Sequence, residues 1–173
     1  MNRTHIDQII SQFDFNLLYT RELVKDISDD QMTVIPFTGL ENHPAFTLGH
    51  LVTAKAMLNE DLGGEYEIPQ GWKELFQRNG PGDPRYPEND ISQYPSKTTL
   101  INELGIQHQK VVLNLKKIEL SKLDEKVEWR FDKYFPSMMD IVMFFCINHY
   151  AMHISQLASW RRAMELPSAL AKL

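Results

Sequence analysis

Four stretches of this chain repeat apolar residues at steps of three and four, and no segment reads as a strand. In the first, Ile6, Ile9, Ile10, Phe13, Leu17, Val24 and Ile27 keep that rhythm, interrupted only near Thr20. Such a stripe is what an amphipathic helix needs to cover a core. It predicts a helix from about Thr4, a possible cap, to Asp26. A second helix begins near Pro44, since proline fits the first helical position, where no N–H is needed. Asn42 or His43 then caps it. Phe46, His50, Leu51, Ala54, Met57 and Leu58 share one side, and Gly63-Gly64 ends it. A third follows Pro95, with Ser96 as N-cap and Leu100, Leu104, Val111, Leu115 and Ile118 as its stripe. The fourth opens on Ser137 and Asp140, spaced as a capping box with Asp in place of Glu, and runs to about Met164, before Pro167.

Residues 1–173 are thus expected to form a single all-α domain, a four-helix bundle. Residues 62–96 connect helices 2 and 3 and hold five of the eight glycines. Gly80-Pro81-Gly82-Asp83-Pro84 cannot continue a helix, although a short helix around Trp72 to Gln77 fits. Helix 2, about 18 residues long, spans roughly 27 Å. The connector is long enough to recross that length, which allows helices 2 and 3 to be parallel in an up-down-down-up order. Connectors of this length are often functional. Trp72, Phe76, Tyr86 and Tyr94 can anchor it to the body. The polar stretch from Glu119 to Lys133 carries Trp129, Phe131 and, just beyond, Tyr134, and is expected to pack down as well.

Charge and composition narrow the function classes. A net charge of −5, with His neutral, argues against a broad phosphate-binding surface and hence against nucleic acid. The longest apolar run, Ile141 to Ile147, falls far short of the roughly 20 residues a spanning helix needs, so no membrane is implied. Met1 to Asp7 shows no secretory signal, and the single cysteine, Cys146, cannot close an intrachain disulfide. The expectation is a cytoplasmic protein acting on a small molecule.

The histidines carry the chemistry. His149 and His153 are four apart, so both imidazoles lie on one helix face, near enough for one metal ion at about 2.0–2.1 Å. Extending the fourth stripe gives Met138, Val142, Phe145, His149, His153, Gln156 and Trp160. Two imidazoles thus interrupt a face that should point inward, where each needs a hydrogen-bond partner or an ion. Core histidines satisfied by neighbours are the bland alternative. His50, on the apolar side of helix 2, supplies a third ligand if helices 2 and 4 pack antiparallel. Gly49 beside it allows a neighbour to approach closely. His43 lies about 10 Å from His50 along the axis and is expected at the rim. His108 reads as a core or supporting histidine, and His5 as surface.

Gly49-His50-Leu51 in helix 2 and His149-x-x-x-His153-x-x-Gln156 in the last helix resemble the DinB/YfiT-like family of metal-binding four-helix bundles. Asn42 to Leu51 and His149 to Pro167 are similar to the matching segments of that family, and the resemblance covers roughly residues 4–167. It implies an up-down-down-up bundle, a frequent homodimer, and a divalent metal on His50, His149 and His153. It also implies activities such as thiol-dependent S-transfer and isomerisation, with a low-molecular-weight thiol.

Three imidazoles leave at least one open position, unlike closed structural zinc sites. Zinc and nickel both suit imidazole. A thiol there would be held as its nucleophilic thiolate; the alternative is an activated water in a metal-dependent hydrolase. A non-catalytic stress-related metal-binding bundle is a third possibility. Gln156 either supports the site or satisfies neighbouring polar groups. Cys146 reads as a buried inert thiol, Tyr150 and Trp160 as packing, Arg161-Arg162 as a solvated helix end, and Asp83 and Asp90 as turn residues. Arg78 and Arg85 could bind a substrate carboxylate if the connector folds over the site.

Overall fold

The structure, a computed structural model, describes residues 3–40, 42–80, 83 and 85–173. Pro81, Gly82 and Pro84 of the helix-breaking run lie outside the described residues, as do Met1 and Asn2. The described residues are helical, with no strand and one isolated bridge, Lys126 to Ser137. The long helices are α1 (Arg3–Val24), α2 (Pro44–Asp61), α4 (Lys97–Lys117) and a composite last rod. That rod runs from α6 (Met138–Met143) through a π-helical segment, Phe144–His149, into α7 (Tyr150–Ala163). Two short helices, α3 (Trp72–Phe76) and α5 (Leu120–Leu123), sit in the connections.

Local chemistry sets most ends. Ser96 accepts from the Thr99 amide, and Ser137 and Asp140 close a capping box. His43, not Asn42, caps α2: its Nδ1 accepts from the Phe46 amide at 3.2 Å. Two expected limits move. Thr4 lies inside α1 rather than capping it, and α1 stops at Val24. The N-terminal side chain that matters is Arg3, which donates to the carbonyls of Leu115, Lys116 and Ile118 at the end of α4.

Cross-helix hydrogen bonds give the relative directions. Asn16 reaches the Cys146 carbonyl, and Arg161 reaches the Leu23 carbonyl, so α1 and the last rod run in the same sense. Lys55 meets His108 and Asn59 meets Asn114, so α2 and α4 also run in the same sense. Arg3 near the end of α4 and Asp14 at His108 make α1 and α4 antiparallel. The apolar core lies between these rods and includes Phe13, Leu48, Leu51, Leu100, Leu104, Val111 and Leu157.

Arg161 corrects the expectation of a solvated helix end. Only Arg162 is exposed; Arg161 is 2% exposed and packed within the bundle. It pairs with both carboxylate oxygens of Asp26 and donates to the carbonyls of Leu23 and Pro167. A buried guanidinium is tolerable only with that density of acceptors. It holds the Asp26 carboxyl well below the usual carboxylate range.

Candidate metal centre

The π segment sets the phase of the last rod. A π turn widens the spacing by a residue, so the deeply buried line runs Met139, Val142, Cys146, Tyr150, Leu157 and Arg161. The line expected from uniform helical spacing, through Phe145, His149, His153 and Gln156, lies beside it and is only partly buried. The imidazoles therefore lie partly exposed at the flank of the core rather than at its centre.

His50 comes from α2, one residue past Gly49. A Cβ at Gly49 would overlap three ring carbons of Phe76. Glycine there lets α3 close onto α2, and the Phe76 carbonyl then accepts from His50 Nδ1 at 3.0 Å. His153 Nδ1 donates likewise to Gln156 Oε1 at 3.0 Å, and that oxygen also accepts from Asn42 at 3.2 Å. A carbonyl oxygen can only accept, so in both rings the proton is on Nδ1 and the lone pair on Nε2; that of His153 faces His149 Nε2. These are the supports that orient metal-bound histidines.

The three rings converge. Ring centroids lie 4.6 Å apart for His50–His153 and His149–His153 and 5.4 Å for His50–His149. One ligand atom from each falls within 4.8 Å of the others. His149 Nε2 and His153 Nε2 are 3.2 Å apart. Two nitrogens bound tetrahedrally to one ion at about 2.0–2.1 Å would be roughly 3.3–3.4 Å apart. Burial lowers the pKa of all three rings, that of His149 to about 4. Mutual proximity lowers His149 and His153 further. Neutral imidazoles are the form a metal requires. His149 Nδ1 is buried with no partner, so this ring lacks the support the other two have. The donor set fits a divalent ion that favours nitrogen, with three ligands and, among the described residues, no carboxylate or thiolate joining them.

The other histidines are employed elsewhere. His43 Nε2 donates to the Glu88 carbonyl at 2.8 Å, so this ring fastens the connector to the start of α2. His108 stacks on Phe13 with centroids 4.1 Å apart and donates from Nε2 to Asp14 at 2.7 Å. Its Nδ1 faces the Lys55 ammonium position at 3.5 Å, and Lys55 also donates to the Tyr150 hydroxyl at 3.1 Å. Lys55 lies wholly within the bundle, and burial pushes its pKa far down. This Asp14–His108–Lys55–Tyr150 chain was not visible in the sequence; its signal is one charged residue inside the apolar run Leu51 to Leu58. Tyr150 thus does more than pack. Cys146 is fully buried and its thiol is pushed up to about 12, as expected for an inert cysteine.

Aromatic side chains pack around the cluster. Phe46 stacks on His50, Phe145 lies 5.3 Å and Phe144 6.0 Å from His149, and Trp129 packs on Phe144. Fold and site together define a helical bundle with a three-imidazole cluster on one flank. The model of the DinB superfamily matches residues 12–157, and the chain belongs to that superfamily. Among solved structures it is similar to a conserved protein from Enterococcus faecalis. That structure is 16% identical, with a TM-score of 0.68 over 91% of this chain and 95% of that one; the likeness is one of fold. Curated proteins offer no match. Among the described residues, no helix is long and apolar enough to cross a membrane.

Proposed function

We propose that this chain is a divalent-metal-dependent enzyme that transfers a low-molecular-weight thiol to a small electrophile. His50, His149 and His153 hold the ion, zinc or nickel. The observation that carries this is the convergence of three imidazoles, two of them with Nδ1 anchored and the lone pair on Nε2, with no fourth protein ligand among the described residues. When bound, such an ion supplies Lewis-acid chemistry that favours the ionised form of a thiol. The chain's own part is positional. Phe76 and Gln156 fix the tautomers, and Phe46, Phe144 and Phe145 pack around the cluster. Cys146, buried and protonated, is not the nucleophile, so the thiol comes from solution. A homodimer belongs to the same proposal and is checked by sedimentation.

The test is elemental analysis of protein purified without added metal, followed by thiol consumption with a generic electrophile. About one ion per chain is expected, lost in a His149→Ala/His153→Ala double variant that keeps its helical content. Thiol consumption should follow the ion. Ester or amide cleavage without thiol would replace the transferase by a hydrolase. Retention of the ion with no turnover across a broad panel of thiols would leave a binding protein.

A further inference from the structure

Three guanidinium groups approach the connector, and two are spent on holding it. Arg85 pairs with Asp83 at 2.6 and 2.9 Å. Arg130 donates to the Asn79 carbonyl at 2.6 Å, and its guanidinium fills the space where a Cβ on Gly80 would lie. The third, Arg78, has no carboxylate within ion-pairing distance among the described residues. Its one hydrogen bond is a long 3.4 Å contact to the Leu75 carbonyl.

Arg78 nonetheless does not reach out into water. It follows α3 by two residues and folds down over Phe46, its guanidinium carbon 4.2 Å from the ring centroid. Phe46 in turn stacks on His50, 5.7 Å between centroids and 15° between planes. The guanidinium, the phenyl ring and the imidazole are therefore neighbours on one flank of the triad. With a divalent ion on the triad, a partly desolvated cation this near would be unfavourable until an anion lies between them. The guanidinium fork matches a carboxylate in two parallel hydrogen bonds. Phe144, Phe145 and Trp129, each partly exposed beside His149, offer a planar apolar body its contacts.

We propose that Arg78 binds the carboxylate of the substrate, and that this substrate is a small monoanionic carboxylate with a flat, apolar body. The proposal rests on the metal-dependent function given above, and its test separates the two. The probes are 4-mercaptobenzoate and 4-mercaptobenzamide, which share ring and thiol and differ in charge. Each is titrated calorimetrically into zinc-loaded protein and into chelator-treated protein, for wild type, Arg78→Gln and Arg78→Lys.

Wild type should bind the carboxylate about 10-fold more tightly than the amide, the order expected for a charge-assisted pair. Arg78→Gln should bring the two within about twofold while leaving amide affinity and zinc content unchanged, and Arg78→Lys should fall between. Equal affinity of wild type for both probes overturns the proposal, as does a preference that survives in Arg78→Gln. Failure to retain zinc refutes the metal reading alone, because the carboxylate-to-amide ratio is then read on the metal-free protein. Absence of carboxylate binding in both forms overturns the role of Arg78.

Discussion

Gly49→Ala tests how the fold builds the site. The added methyl meets the Phe76 ring, which is fully buried and cannot swing into solvent. Overpacking of this kind costs about 1–3 kcal/mol. Alanine returns about 0.8–1.0 kcal/mol of helix propensity inside α2. The balance is a loss of about 0–2 kcal/mol, or up to roughly 8 °C in Tm for a chain of this size. The displaced segment also carries the Phe76 carbonyl that accepts from His50 Nδ1. Loss of such a support lowers metal affinity by about 10–100-fold. Thermal unfolding reads the first effect and a competitive zinc titration with a chromophoric chelator reads the second. Phe76→Leu in the same chain removes the ring but keeps the carbonyl, so the double variant should recover much of both losses, a coupling measurable in a double-mutant cycle. A Gly49→Ala protein with a higher Tm and unchanged zinc affinity would refute the close approach of α3, leaving helix propensity as the only effect.

Other outcomes follow from the same contacts. His43→Ala removes a helix cap and the Glu88 tether; it should cost about 2 kcal/mol in denaturant unfolding while leaving zinc stoichiometry intact, whereas His50→Ala should do the reverse. Arg161→Met leaves Asp26 with Lys172 alone and two carbonyls without their Arg161 donor, and should cost about 2–4 kcal/mol. The Asp26 pairing is fully present above the ordinary carboxylate pKa and is lost as pH falls through the lowered folded value. Wild type should therefore be more acid-sensitive than Arg161→Met when unfolding is followed below about pH 4. Lys55 has the opposite sense: the unfolded chain binds a proton up to the ordinary value of 10.5 that the folded chain does not. Stability thus rises with pH, by up to about 1.4 kcal/mol per unit. The difference between Lys55→Met and wild type should change by that slope between about pH 8 and pH 10, with the opposing ionisation of Cys146 common to both proteins.

Legibility in the sequence tracked how local the physics is. Ser96, the Ser137–Asp140 box and Pro44 act within one turn, so the helix starts they mark are where the residues imply. The pairing of His149 with His153 also follows from one helical turn, and the choice of His50 over His43 turns on their separation of about 10 Å along the helix axis. What the sequence hides depends on distant partners. Arg161 and Arg162 are identical in kind, and only the position of Asp26, Leu23 and Pro167 decides which is buried. His43 and His108 are taken up by Glu88 and Asp14, from segments far along the chain. The π turn leaves no mark in Phe144–His149, because the widened spacing is a property of hydrogen bonds rather than of residue types.

That widened turn makes the cluster depend on how the last rod is wound. Rewinding Phe144–His149 as ordinary α-helix at unchanged length would rotate everything beyond it by about 100°, whereas deleting one residue there would absorb the bulge and leave the phase beyond it nearly unchanged. In the first case His149, His153 and Gln156 would turn together, keeping their mutual geometry while leaving His50 and Asn42 behind. The winding of this segment acts as a rotary setting for two of the three imidazoles, one that no point substitution among the rings can imitate.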